Sequence, residues 1–69
     1  MGISDYDYVN FEQDYELNYH LGKVNKRQTQ FNRNTLKLMG GELKLKLNKT
    51  LLKHYEFHAY VMTQLSRLE

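Results

Sequence analysis

The chain contains no cysteine and no proline among its 69 residues. Without cysteine it can form neither a disulfide nor a thiolate metal site, which indicates a reducing compartment. Without proline, no helix is forced to break. The longest uninterrupted apolar run is the four-residue AYVM at 59–62, too short for a membrane span or the core of a signal peptide. We therefore expect a cytoplasmic protein with no membrane partner.

Cations are absent from residues 1–22, and acids are nearly absent from residues 23–53. The first segment carries a charge of −5, the second +8 and the remainder −1, so the net charge is only +2. Charge separated along a chain in this way indicates electrostatic docking to a partner. The same order also matches a helix macrodipole, which favours acids at the start of a helix and cations at its end.

The segment LKLMGGELKLKL at 36–47 is compatible with two different folds. Alternating leucine and lysine on both sides of Gly40 and Gly41 are typical of a β-hairpin, which would bring every leucine to one face. This interpretation gives an α+β fold with a hairpin at 34–47 and a C-terminal helix. The alternative is a helix that ends at the two glycines and is followed by another helix.

The residues on either side of this segment favour helices. Upstream, apolar and small polar residues recur every three or four positions over three heptads, a spacing that no strand can place on one face. The same steps recur downstream. We therefore predict an all-α fold, an antiparallel helical hairpin that forms a single domain at 1–69. It has an acidic, aromatic arm or short helix at 1–11, one helix at 12–39, a break at Gly40-Gly41 and a second helix at 42–68. The upstream set is Leu17, Leu21, Val24, Gln28, Phe31, Thr35 and Leu38, and the downstream set is Leu43, Leu47, Leu51, Tyr55, His58, Met62 and Leu65.

A chain of this length lies near the lower size limit for a self-sufficient hydrophobic core. The apolar stripe of the second predicted helix is wider than one partner helix would cover, which indicates a further contact surface. Because symmetric pairs are the commonest oligomers, we expect a homodimer that completes a four-helix bundle, with another protein as the alternative occupant.

A row of cations and amides forms the most specific surface feature. On one continuous helix these residues would form a ridge about 20 Å long, roughly opposite the apolar stripe. Three interpretations stay open: a solvated or self-paired face, a contact with an acidic protein, or a contact with the phosphates of a nucleic acid. The residues of this basic ridge are Lys23, Lys26, Arg27, Gln30, Arg33, Asn34 and Lys37.

Four aromatic residues near the N-terminus form a second candidate surface: Tyr8, Phe11, Tyr15 and Tyr19. They would share one face if the first helix extends back to Tyr8. Rings with polar tips are frequent at protein interfaces, and the acids around them suit a basic protein groove. The alternative is that the rings only cover a small core.

Catalytic motifs are lacking. His54 and His58 lie four residues apart, a spacing that can chelate a metal from one helix face, but Tyr55 replaces the glutamate of the HExxH pattern. No glycine-rich phosphate loop is present, and we predict neither a cofactor nor a metal site. The sequence therefore predicts a non-catalytic regulatory or adaptor protein that acts through protein–protein interaction. A nucleic-acid-binding regulator that uses the basic ridge and a purely structural subunit are the alternatives.

Overall fold

The computed structural model describes residues 8–69, which form three α-helices and a short 3₁₀ turn. Helix α1 spans Asp14–Lys23, α2 spans Gln30–Leu47, α3 spans His54–Met62, and the 3₁₀ turn covers Leu65–Arg67. Residues 1–7 of the predicted N-terminal arm lie outside the described range. Within residues 8–69 there is no strand, only an isolated antiparallel bridge between Tyr8 and Lys53. The all-α class is confirmed, and the β-hairpin at 34–47 is not supported.

The predicted helix break at Gly40-Gly41 is wrong, because α2 runs through both glycines. Gly40 does not form a turn. Its missing side chain leaves room for another residue to pack against α2. A Cβ atom there would lie 2.5 Å from Cζ of Phe11, whose ring packs directly over the helix at this point. One face of α2 therefore needs a glycine, while the helical backbone continues past it.

Two asparagines end the first two helices. Asn25, just beyond α1, has φ 58°, and Asn48, the C-cap of α2, has φ 54°. Asparagine enters this left-handed region more readily than other residues with a side chain, and such a residue commonly stops a helix. Backbone N–H groups of Asn48 and Lys49 donate to the carbonyls of Leu45 and Lys44, which closes the end of α2. Both predicted long helices, 12–39 and 42–68, are therefore divided.

Local capping explains where the following helices begin. The Thr29 side chain accepts a hydrogen bond from the Asn32 backbone N–H at 3.2 Å and starts α2. At the start of α3, the Glu56 carboxylate accepts the backbone N–H of Lys53 at 3.0 Å. These caps satisfy N–H groups that have no partner inside the helix.

The hydrophobic core lies between the three helices, with α2 packed against both α1 and α3. Phe57 from α3 is fully buried, and the ring of Phe11 meets it edge-on at 5.0 Å between centroids. The chain before α1 closes one side, where the Val9 N–H donates to the Leu52 carbonyl at 2.9 Å. The buried apolar residues are Val9, Leu17, Leu21, Leu36, Met39, Leu43, Leu52, Phe57, Val61 and Leu68.

Candidate functional site

The residues of the basic ridge do not lie on one helix. Lys23 is the last residue of α1, Lys26 and Arg27 lie in the connecting loop, and the other four are on α2. The predicted placement of the ridge on one unbroken helix from 12 to 39 is therefore wrong, whereas the binding role of these residues stays a prediction. Arg27 and Lys37 are exposed, and neither forms an ion pair with an acid of residues 8–69.

Arg33 is a structural residue of this set. Its Nη1 donates to Oδ1 of Asn18 at 3.1 Å and to the Gln28 carbonyl at 3.0 Å, while its Nε lies 3.8 Å from Oδ2 of Asp14. Its side chain is only 17% exposed. These contacts connect α2 to α1, so the guanidinium is already engaged inside the protein. Gln30 and Asn34 are also paired with one another, at 2.9 Å between Nε2 and Oδ1.

The four aromatic residues of the predicted interface separate into two pairs. Tyr15 and Tyr19 are 68% and 56% exposed on α1. Tyr8 and Phe11 precede the helix and are half-buried, with the Lys44 ammonium 5.0 Å from the Phe11 ring centroid. The predicted common face is therefore not formed. Three of the rings nevertheless line one cleft of about 490 Å³, those of Tyr8, Phe11 and Tyr15.

A row of three exposed apolar side chains runs along α2, and the sequence analysis missed it. Phe31, Leu38 and Leu45 are 54%, 64% and 86% exposed. They are spaced by seven residues, so they follow one line along the helix. We call these three residues the outer row. The predicted heptad placed Phe31 and Leu38 inward, whereas the buried face of α2 consists of Asn32, Thr35, Leu36, Met39, Gly40 and Leu43.

The outer row carries no charge. At 3.6 residues per turn, Asn34 and Gly41 border it on one side and Glu42 on the other, while Lys37 and Lys44 lie roughly a quarter-turn or more away. Glu42 is neutralised locally because it receives two hydrogen bonds from Arg67, at 2.8 and 2.9 Å. The Tyr60 hydroxyl donates a third at 2.8 Å. The Arg67 hydrogen bonds, followed by that from Tyr60, lower the pKa of Glu42 to about 2.

A pair of histidines joins α1 to α3. His20 is fully buried, and its Nε2 lies 2.9 Å from Nδ1 of His54. The two rings are inclined by only 10°, with centroids 5.1 Å apart. The nitrogens are much closer together than the ring centroids, so the two nearly parallel rings meet edge to edge through a hydrogen bond. They do not stack face to face. On the other side of the His54 ring, Nε2 of His54 lies 3.6 Å from Oε1 of Glu16.

The surroundings favour one tautomer of this pair. If His20 donates from Nε2, then His54 Nδ1 accepts, and His54 presents its Nε2–H to the Glu16 carboxylate. The opposite choice would set a bare nitrogen against the carboxylate. It would also leave a buried N–H at His20 Nδ1, which has no hydrogen-bond partner within residues 8–69. Burial is the main reason that the pKa of His20 falls to about 4, with repulsion from His54, Lys23 and His58 as lesser causes.

Within residues 8–69, the histidines do not form a metal-binding cluster. His54 is engaged by His20 and Glu16, and His58 does not join a cluster with it: within residues 8–69, no group of three or more His, Asp or Glu residues is placed to hold a metal ion. On the inner side of the pair, Nδ1 of His20 is buried without a hydrogen-bond partner in residues 8–69. Among the helices of this same region, none is long and apolar enough to cross a bilayer.

No protein-family model, no curated protein and no solved structure matches this chain.

Proposed function

We propose that this protein is a small, non-catalytic regulatory or adaptor protein that acts through protein–protein interaction, with the outer row as its contact surface. The observation that carries the proposal is the exposure of Phe31, Leu38 and Leu45 in one uncharged line on the longest helix. Scattered apolar residues are ordinary on a protein surface, whereas an aligned set is typical of a docking face for a helix.

The interior of the protein supports a binding role over a catalytic one. Within the histidine pair, His20 is fully buried, and burial lowers its pKa. The cleft lined by Tyr8, Phe11 and Tyr15 also contains Lys44, whose ammonium already faces a ring. The buried His20 ring does not reach an exposed substrate, which favours a binding role over general acid–base catalysis at this pair.

Affinity capture from the native host tests the proposal. The bait is the full chain, and the test variant Leu38→Asp places a charge in the middle of the outer row. Because Leu38 is 64% exposed, the variant keeps the fold, which circular dichroism verifies. We expect it to lose the captured protein. Tyr55→Asp is the matched control, since Tyr55 is 69% exposed on α3 and away from the row. Equal capture by Leu38→Asp and wild type would refute the proposal.

Nucleic-acid binding is the second candidate, supported by the exposed cations Lys23, Arg27 and Lys37. Three phosphate contacts would make affinity for DNA or RNA fall by about 20-fold to 40-fold between 50 and 200 mM salt, through counterion release. Fluorescence anisotropy with labelled duplexes and single strands measures this. We expect Arg27→Glu with Lys37→Glu to abolish binding if the candidate is correct. Binding that is absent at low salt removes it.

A further inference from the structure

The hydrogen bond between His20 and His54 is a direct side-chain link between α1 and α3. Both helices pack against α2, and Nε2 of His20 lies 2.9 Å from Nδ1 of His54. The His20 ring also meets the fully buried ring of Phe57 edge-on, at 5.0 Å between centroids. Separation of the two histidines would therefore uncover Phe57 in the core.

The geometry of the pair limits the number of protons that it can hold. The two rings have four nitrogens, and one proton is shared in the hydrogen bond between Nε2 of His20 and Nδ1 of His54. A second proton lies on Nε2 of His54, which faces the Glu16 carboxylate at 3.6 Å. The remaining nitrogen is Nδ1 of His20, which is buried and has no hydrogen-bond partner in residues 8–69. A third proton would therefore form a buried N–H without an acceptor, on a ring that carries a charge.

We propose that the His20–His54 pair is an acid-sensitive latch between α1 and α3, which is closed while the two rings carry two protons and is opened by a third. Opening lets water solvate the charged imidazolium. The His54 side chain is already 24% exposed, so it reaches the solvent by a small movement. This inference goes beyond the proposed function, because it concerns the interface between α1 and α3 and not the outer row.

The charged groups around the pair favour opening in acid. Lys23 on α1 and His58 on α3 both disfavour a positive charge on His20. The buried face of α2 consists of asparagine, threonine, glycine and apolar residues, so it supplies no acid to compensate for that charge. The Glu16 carboxylate lies on the far side of His54 and accepts the backbone N–H of Asn10 at 2.8 Å. It therefore stabilises a proton on His54 and gives no acceptor to Nδ1 of His20.

The cations just before α3 are engaged elsewhere. The Lys49 ammonium donates to Glu56 at 2.6 Å, and the Lys53 ammonium lies 6.0 Å from the ring centroid of Tyr55. In the segment before α1, the acid Glu12 is exposed. None of these charged groups is a cause of the lowered pKa of His20. The response to acid therefore depends on the two histidines, Glu16, Lys23 and His58.

The size of the response follows from His20. Its pKa is about 4 in the closed protein and 6.5 when the ring is released, so the open state binds a proton more readily. The closed state is favoured above pH 6.5, and opening increases as the pH falls below that value. The equilibrium constant for opening is therefore expected to rise about 20-fold between pH 7 and pH 5.

Native-state hydrogen exchange at pH 7 and pH 5, in low concentrations of urea, tests the latch. At pH 5 we expect the amides of Phe57 and Val61 in α3 to exchange by a local opening that depends little on urea. The amides of Leu36 and Met39 in α2 are expected to exchange more slowly and with a steep dependence on urea. Equal rates and equal urea dependence in the two helices would show global unfolding and overturn the inference.

His20→Gln removes the titrating ring but keeps a group that can donate or accept a hydrogen bond. Its amide can turn to accept a proton from Nδ1 of His54, so we expect the opening constant of α3 to rise less than about threefold between pH 7 and pH 5. His58→Gln is the matched control, because His58 lies one turn later on α3 and also has a buried Nδ1 without a partner in residues 8–69. It is expected to keep the rise of about 20-fold. A full response in His20→Gln, or its loss in His58→Gln, contradicts the latch.

Nitrogen NMR of the imidazole rings tests the same inference in the wild-type protein. At neutral pH we expect both rings to carry their proton on Nε2, with a coupling through the hydrogen bond from Nε2 of His20 to Nδ1 of His54. The coupling is expected to disappear over the pH range in which the pair takes up its third proton. A coupling that persists in the pair with three protons would show that the interface holds the charge, and the latch would be refuted.

Discussion

Helix α2 has two faces whose residues are neighbours in sequence and opposites in environment. Gly40 is buried beneath the Phe11 ring, whereas Gly41 has open space where a side chain would begin. Leu36 is fully buried, whereas Leu38, two residues later, is 64% exposed. The same residue type is therefore packed into the core on one face and exposed to solvent on the other. Residue identity alone does not distinguish the two, because the difference depends on which side of α2 meets α1 and α3.

The largest expected effect comes from shortening the two leucines. Leu36→Ala removes a fully buried side chain and leaves a cavity, so we expect a loss of about 3 kcal/mol in the free energy of unfolding. Leu38→Ala is expected to change it by less than about 0.5 kcal/mol, since most of its side chain is already in water. Urea unfolding of dilute, monomeric protein measures both. Similar losses for the two variants would contradict the assignment of faces.

Polar side chains also differ between the interior and the surface. His20 on α1 is the buried example. Its pKa is about 4 in the folded protein against 6.5 in the unfolded chain, so between these values the unfolded state binds more protons. Stability from His20 is therefore complete above pH 6.5 and decreases as the pH falls toward 4, by roughly 2–3 kcal/mol. Unfolding by urea at a series of pH values measures the slope.

His20→Leu is the control for that slope. The variant removes the titrating ring, so the decrease in stability between pH 6.5 and 5 should flatten, although its baseline stability is lower because His54 Nδ1 loses its partner. Carboxylates contribute mainly below about pH 5 and do not obscure this window. An unchanged slope in the variant would show that His20 is not the group responsible.

The two glycines provide the next test. Gly41→Ala is expected to stabilise the monomer by about 0.5–1 kcal/mol, because alanine is the better helix former and its Cβ meets nothing. Gly40→Ala is expected to destabilise by about 1–2 kcal/mol, because its Cβ collides with the Phe11 ring, which is held against Phe57. Thermal unfolding compares the two.

A second substitution tests whether the Phe11 ring is the reason that a side chain at position 40 destabilises the protein. Replacing the ring by a smaller side chain, Phe11→Leu, should make Gly40→Ala less costly than it is in the wild type, a coupling that a double-mutant cycle measures. Additive effects would mean that the ring is not what excludes a side chain at position 40.

The smallest expected effect concerns Glu42, the exposed polar counterpart of His20. The Arg67 and Tyr60 hydrogen bonds lower its pKa to about 2. Its contribution to stability is therefore present above pH 4.5 and is lost as the pH falls toward 2. Arg67→Ala should raise the pKa of Glu42 toward its ordinary value, as NMR titration of the carboxylate would report. A pKa that stays near 2 would assign the effect to Tyr60.

Part of this architecture was predictable from the sequence. The recurrence of leucines every three or four residues and the scarcity of strand formers correctly indicated an all-helical chain. The helix ends were not predictable in the same way. Gly40-Gly41 is the stronger local stop signal, yet the helices end near Asn25 and Asn48. The left-handed backbone at these asparagines directs the next N–H groups to carbonyls of the last helical turn, and packing of Gly40 beneath the Phe11 ring keeps α2 helical through the glycines.

For the candidate surfaces too, the sequence shows which residues are present but not where the fold places them. The apolar residues at 31, 38 and 45 and the cations from 23 to 37 are plain in the sequence, but their environment depends on the loop between α1 and α2. That loop rotates the register, so Phe31 and Leu38 turn outward and Arg33 turns toward Asp14 and Asn18. It also divides the basic ridge among α1, the loop and α2, although the prediction required one continuous helix.

Composition and periodicity by themselves determined that this chain is helical, because local backbone preference and apolar spacing act within a few residues of each position. Only the tertiary structure decided which apolar residues are buried, which glycine packs against a ring and which histidine meets another. Those outcomes depend on contacts between residues far apart in the chain, such as His20 with His54 and Glu42 with Arg67. Such contacts form only after three helices have packed around one core.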